Sequence, residues 1–313
     1  EGTGCLMTAQ APFIVRVNRN DGTTETLESE HVLIATGSEP ARLPVSGCDM
    51  PEVWTSDDIL SEAGIEPFQT LLIIGGGVIG VEMACIYAKL GVAVTILEAE
   101  KRCLPMLDVE LGRSVEAMLK GIGVTLLTDA RLQRIAGTAG QFTVTYEKSG
   151  TEVEQTAERV LLATGRKPVT DGLLADNVTL EWNRRFIKVD ERFQTSLANV
   201  YAIGDVNGVF QLAHAAHAQG LAAVSDMLGI PAPINAALVP SCVYTSPEIA
   251  SIGITTDEAK VQGLDVVVGK ALTTQNARTL IEGLGRGFVN LIFSKETHQL
   301  LGAQLFCGRA TDL

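Results

Sequence analysis

The sequence predicts an α/β protein of two related parallel-sheet domains, one inserted into the other, running at its end into an α+β domain with an antiparallel sheet. Three observations predict it. Residues 71–98, LLIIGGGVIGVEMACIYAKLGVAVTILE, read as strand, glycine turn, helix and strand. The decamer HVLIATGSEP at 31–40 returns as RVLLATGRKP at 159–168 with six identities in register, so a strand emptying into a small-residue turn occurs twice. Beyond Pro231 the pattern changes to short alternating strands around one short helix.

Taken in order, residues 1–17 read as a strand or hairpin, Asn20-Asp21-Gly22 as a turn, and a further strand runs from His31 into Ala35-Thr36-Gly37-Ser38. Residues 51–67 read as the connection into the inserted domain. There the apolar strand 71–74 meets Gly75, Gly77 and Gly80 at the spacing G-x-G-x-x-G, and 81–90 continue with helical period. A strand at 93–97 ends in Glu98; a polar helix near 108–120, a strand at 124–127 and a meander with 142–146 and 160–163 follow. Residues 182–189 lead out, and an apolar strand, 200–203, ends in Gly204-Asp205 before a loop and an alanine-rich helix. The last part reads as strands at 239–244, 249–254, 266–270, 287–293 and 300–306 around a helix at 256–262.

Composition narrows the function classes. A chain of 313 residues with 46% hydrophobic and 19% charged residues has ample material for two cores. The net charge of −13 argues against nucleic acid or an anionic membrane as main partner. No apolar run reaches the length of a membrane span and the start shows no signal-peptide pattern, so a cytoplasmic location is expected. The cysteines, Cys5, Cys48, Cys85, Cys103, Cys242 and Cys307, lie no closer than 18 positions apart and include no C-x-x-C pair. They read as small buried residues rather than a redox dithiol. His214 and His217 stand three apart without a nearby third ligand, so no metal is expected.

The chemistry concentrates in the glycine turn. The first glycine permits the turn, the second lets backbone approach a pyrophosphate and the third lets helix and strand pack closely, while the helix N-terminus directs free N–H groups at the phosphates. Glu98 falls about 20 residues on, where a carboxylate accepts from an adenosine ribose diol and repels a 2′-phosphate. NAD is therefore expected rather than NADP. Glycine turns that bind nothing are the alternative, and the strand, helix and terminal acid around this one argue against it. Asp205, at the end of a buried strand, is placed for the hydroxyls of a second cofactor, although an isolated Gly-Asp is more often a turn or cap.

These pieces in this order, HVLIATGSEP, IIGGGVIGVE, LLATGRKP, YAIGDV, QLAH and VPSCVYTSPEIASIG, resemble the flavin-dependent pyridine nucleotide-disulfide oxidoreductases over essentially the whole chain, and within them the dihydrolipoamide dehydrogenase group. The resemblance implies an FAD/NAD(P)-binding Rossmann-like fold with two dinucleotide-binding domains and the start of an interface domain. It implies a partial FAD-binding domain at 1–62, an NAD-binding domain at 63–187, an FAD-domain return segment at 188–232 and a truncated dimerisation domain at 233–313. Thr36, Gly37, Ser38 and Asp205 would lie near FAD, Gln211, Leu212, Ala213 and His214 along its isoalloxazine, and Gly4 near its adenine. Gly75, Gly76, Gly77, Val78, Ile79, Gly80, Val81 and Glu82 would bind NAD, Glu98 its ribose, and Gly165 with Arg166 would form the opposite wall. Glu82 would sit near the nicotinamide.

The resemblance also implies features this sequence does not contain: an earlier FAD fingerprint with a C-x4-C redox pair, and a later His-x4-Glu pair. The chain is therefore expected to be an internal fragment, without catalytic residues of its own, of an enzyme oxidising dihydrolipoamide with NAD through FAD and a disulfide. The parent would be a homodimer acting on lipoyl domains of 2-oxoacid dehydrogenase or glycine cleavage complexes. Alternatives are a related NADH oxidase, a mercuric or coenzyme A disulfide reductase, or a non-catalytic NAD-binding module.

Overall fold

The computed structural model describes residues 1–236 and 238–313. The chain forms two compact units, one of Glu1–Glu39 with Arg166–Val239 and the other of Pro40–Gly165 with Pro240–Leu313. Each early passage between them follows a copy of Ala-Thr-Gly, directly at Gly165 and two residues beyond Gly37. The two units therefore divide at 39/40, 165/166 and 239/240. The reason is packing. Trp54 exchanges backbone hydrogen bonds with Val160 and Leu162, drawing residues 40–62 into the inserted domain. Leu6 does the same with Leu173 and Ala175, and Leu180 and Ile187 share a core with Phe13 and Val200, which keeps 166–187 in the first unit.

The inserted domain is built on a four-stranded parallel sheet in the order Arg159–Leu162, Thr70–Ile74, Ala93–Leu97, Thr125–Leu127. The inner strand Thr70–Ile74 is apolar from Leu71 onward because both its faces are covered. Leu71 and Ile73 join Ile96, Val81, Val115 and Leu119 on the side of the helices Val78–Lys89 and Val109–Gly121. Leu72 and Ile74 join Leu97, Phe142, Val144 and Tyr146 on the side of the antiparallel sheet Ala130–Thr138, Gln141–Lys148, Thr151–Ala157. Each fully buried side chain of this kind contributes about 1.5–3 kcal/mol, which holds the strand ends in place for the site they carry.

The last part of this unit is a five-stranded antiparallel sheet in the order Ser241–Val243, Glu248–Gly253, Leu300–Cys307, Phe288–Ser294, Val266–Leu272. Val243, Ile249, Phe288 and Phe306 on one face belong to the same core as the nucleotide-side helices, and Ala250, Ala303 and Leu305 form a second cluster. The expected helix is Thr256–Val261, and a further one, Ala277–Glu282, was not anticipated. Its signals are local: Asn276 caps the N–H of Thr279, and Gly283 ends the helix at φ +64°.

In the first unit, Gly2–Leu6, Phe13–Arg19 and Thr24–Ser29 form an antiparallel meander. Val32–Ile34 and Val200–Ala202 pair in parallel, Ile34 beside Ala202, although 165 or more residues of chain separate them. The helix Ala213–Met227 follows. Among the described residues no helix is long and apolar enough to cross a membrane.

Candidate functional site

The inserted domain opens a cleft of about 490 Å³ at the carboxyl ends of its parallel strands, lined by Gly75, Gly77, Glu98, Pro105, Leu132 and Gly165 among others. It lies where the strand order reverses, between Thr70–Ile74 and Arg159–Leu162, which is where open parallel sheets hold ligands. The glycines divide the work. Gly75 stands at φ +108°, and a Cβ there would lie 2.4 Å from the carbonyl oxygen of Ala163. A Cβ at Gly80 would lie 2.0 Å from the Gly75 oxygen, so this glycine lets helix and strand meet. Gly77 caps the helix Val78–Lys89, and a Cβ on it meets nothing within 4 Å. That open space beside the first-turn N–H groups fits a pyrophosphate.

Glu98 is buried at 8% exposure, yet both oxygens are satisfied by backbone. Oε2 accepts the N–H of Gly76 at 2.5 Å and Oε1 that of Glu100 at 2.7 Å. The carboxylate therefore anchors the glycine turn, and the remaining lone pairs stay available to a ribose diol. Of the expected NAD residues, Gly76 spends its N–H on Glu98 rather than on a phosphate. Val81 is fully buried in the core, while Val78 and Ile79 pack partly against it. Beneath the turn, a Cβ at Gly76 would strike the Cys103 sulfur at 2.5 Å. Burial, reinforced by Glu98 and Glu116, pushes that thiol up to about 12.

Glu82, on the helix behind the turn, accepts the backbone N–H of Tyr244 at 2.8 Å. Burial raises its pKa and this hydrogen bond partly opposes the rise. Tyr244, directly after the strand Ser241–Val243, thereby ties the antiparallel part of the unit to the nucleotide helix, a partner that sequence spacing does not reveal. Two further ties join these parts: Asp108 accepts from Thr256, and Glu110 accepts from Lys270 and Asn290.

In the first unit, Thr36 and Gly37 lie in the turn after the strand Val32–Ile34, Ser38 opens the short strand Ser38–Pro40, and Asp205 lies in the 3₁₀ turn Gly204–Asn207 after the strand Val200–Ala202. Thr36 donates to the Val169 carbonyl at 2.6 Å, and Gly37, at φ +70°, faces open space where a Cβ would stand. Ser38 donates its hydroxyl to Asp205. Arg166 donates through Nε to the Ser38 hydroxyl at 2.7 Å and through Nη2 to the Ser38 carbonyl at 2.9 Å. Its Nε lies 3.9 Å from Asp205. Arg166 thus stands with the Asp205 cluster, while Gly165 lines the cleft of the other unit. A carboxylate, a hydroxyl and a guanidinium at the ends of adjacent parallel strands form a polar rim suited to a polyhydroxyl or phosphate-bearing cofactor. Gln211, Leu212, Ala213 and His214 lead into the helix Ala213–Met227, with Leu212 at the cap and Gln211 and His214 exposed. Gly4 is an exposed residue of the strand Gly2–Leu6, and a Cβ there would make ordinary contact at 3.7 Å with Val15, so nothing there requires glycine.

All six cysteines are free and buried. Burial also raises Cys85 to about 11.

Two glycine-marked strand ends, each with an acid and each in its own unit, define a protein of the two-dinucleotide class. Residues 7–220 match the pyridine nucleotide-disulphide oxidoreductase family and residues 239–313 its dimerisation domain. Dihydrolipoyl dehydrogenase of Bacillus subtilis is 36% identical over 306 residues, covering 96% of this chain and 64% of the relative. That of Trypanosoma brucei brucei is 34% identical over 308 residues, covering 96% and 64%. Among solved structures, LpdA from Mycobacterium tuberculosis superposes with TM-score 0.89 at 27% identity over 99% of this chain and 68% of that one. The HOCl-induced flavoprotein disulfide reductase RclA from Escherichia coli gives 0.85 at 27% over 99% and 69%. This chain belongs to the pyridine nucleotide-disulphide oxidoreductase family, whose members use FAD and a pyridine nucleotide. It spans just under two thirds of the length of these curated relatives.

Proposed function

We propose that this chain supplies the NAD side and part of the FAD side of a dihydrolipoyl dehydrogenase, whose reaction converts dihydrolipoamide and NAD⁺ to lipoamide, NADH and a proton. The observation that carries this is Glu98, an acid at a buried strand end with free lone pairs beside the open cap of Gly77. When bound, FAD and NAD supply the pair of hydride carriers. The residues here bind and orient. Gly77 and the N–H groups of the following helical turn take the pyrophosphate, Glu98 takes the adenosine ribose, and Gly165 closes the far side of the cleft. Asp205, held by Ser38 and Arg166, takes the ribityl side of FAD, with Gln211 to His214 beside the ring and Glu82 beside the nicotinamide. The physiological form is a homodimer working on lipoyl domains of a 2-oxoacid dehydrogenase or glycine cleavage complex in the cytoplasm.

The thiol–disulfide step falls outside these six cysteines, because burial keeps Cys85 and Cys103 protonated and the other four are enclosed as well. The chain by itself is expected to bind NADH without oxidising dihydrolipoamide. Calorimetric titration of the purified full chain with NADH and NADPH, after its visible spectrum is recorded, tests this. Micromolar NADH binding with NADPH at least tenfold weaker supports the assignment; equal affinity, or binding of neither, overturns it. A flavin absorption band supports FAD retention by the first unit.

A further inference from the structure

The turn that carries Asp205 is held from behind by a side chain that the nucleotide contacts do not use. Gln219, on the helix Ala213–Met227, has 0% exposure. Its Oε1 accepts the backbone N–H of Gly204 at 2.8 Å and the side-chain N–H of Asn207 at 2.9 Å. Asn207, also buried, donates to the Ala202 carbonyl at 3.0 Å and accepts from the N–H of Val209 at 2.9 Å. The short 3₁₀ turn Gly204–Asn207 is therefore clamped at both ends, with Asp205 between the clamps. The same helix begins at the segment Gln211 to His214, so one side chain sets the register of both groups assigned to the flavin.

The chemistry of the clamp is one-sided. Oε1 meets two donors, whereas Nε2 is buried and has no acceptor among the described residues. The surroundings call for an acceptor only, which a carboxylate would satisfy and a neutral amide satisfies by half. We propose that Gln219 is a positioning residue of the flavin pocket: it fixes the Asp205 turn against the helix that carries residues 211–214. This rests on Asp205 being a flavin contact. Removing the acceptor strands two buried donors, so the turn relaxes and Asp205 loses its aim.

The test is FAD titration of the full chain stripped of flavin, with the flavin midpoint potential at pH 8, for Gln219→Leu, Gln219→Glu and, as reference, Asp205→Ala. Gln219→Leu is expected to weaken FAD at least tenfold. Gln219→Glu is expected to bind within about threefold of the parent and to shift the potential negative, because it restores the acceptor and adds an anion. Parent-like affinity in Gln219→Leu, or Gln219→Glu as weak as Gln219→Leu, overturns the proposal. Where Gln219→Leu does not fold, an unshifted potential in Gln219→Glu overturns it. Unchanged FAD affinity in Asp205→Ala overturns the flavin assignment itself, and the clamp's role with it; loss in Asp205→Ala alone overturns only the clamp.

Discussion

Replacing Glu98 by alanine separates its two duties, anchor of the glycine turn and acceptor for a ribose. The anchor consists of two charge-assisted bonds, from Gly76 at 2.5 Å and Glu100 at 2.7 Å. Their loss leaves the N–H of a buried glycine unpaired, at a cost of about 1–3 kcal/mol and a fall in Tm of several degrees. A ribose diol on the same carboxylate adds bonds of the same class. Their loss weakens NADH by about 2–3 kcal/mol, or roughly 30–150-fold in Kd. For NADPH the sign differs. Its 2′-phosphate has no diol to offer and meets the carboxylate charge, so alanine relieves repulsion and partly offsets the damage to the turn. The ratio of NADPH to NADH dissociation constants should therefore collapse by at least tenfold in Glu98→Ala. Calorimetry with both nucleotides, below the melting temperature of the variant, measures it. An equal loss for both would refute the ribose role and leave Glu98 only as the anchor.

Other consequences can be checked alongside. Gly77→Ala points into open space and should keep the parent Tm within a few degrees while weakening NADH at least tenfold, whereas Gly80→Ala drives a Cβ onto the Gly75 oxygen and should cost stability by about 1–3 kcal/mol or more in thermal melts. Glu82 has a folded pKa raised by burial, so its stabilising contribution is full below the unfolded value of 4.5 and is lost as pH rises through the folded value. Glu82→Gln keeps an acceptor for Tyr244 and should melt higher than the parent at pH 8 and level with it at pH 4; coincident curves across the range would contradict the burial of that charge. Glu110→Ala should destabilise by about 1–3 kcal/mol in urea, mostly because Asn290, at 6% exposure, loses the acceptor for its amide. Ellman's reagent at pH 8 should find no fast thiol in the native chain and six after denaturation, and two fast thiols would contradict their burial.

Much of the nucleotide-binding domain was legible because its signals are local. An apolar run of four or five residues, a glycine spacing and a helical period each lie within one element, and the structure returns them as Thr70–Ile74, Gly75 to Gly80 and Val78–Lys89. Glu98 was legible for the same reason, since it closes the next strand. The helix Ala277–Glu282 was overlooked although Asn276 and Gly283 mark its ends, because six residues carry too short a period to stand out from neighbouring strands.

What the sequence alone determined is therefore the set of strand–turn–helix units, their order, and the doubled Ala-Thr-Gly turn that marks two related domains. Only the tertiary structure decided which unit claims each connecting stretch. It also decided that Arg166 turns to Ser38 across 128 positions, that Glu82 takes the N–H of Tyr244 across 162, and that Gln219 grips the Asp205 turn across 15. Backbone pattern is fixed by each residue and its near neighbours, whereas a buried polar side chain must find its partner wherever packing leaves an unsatisfied donor or acceptor, and that place is defined only once distant segments have met.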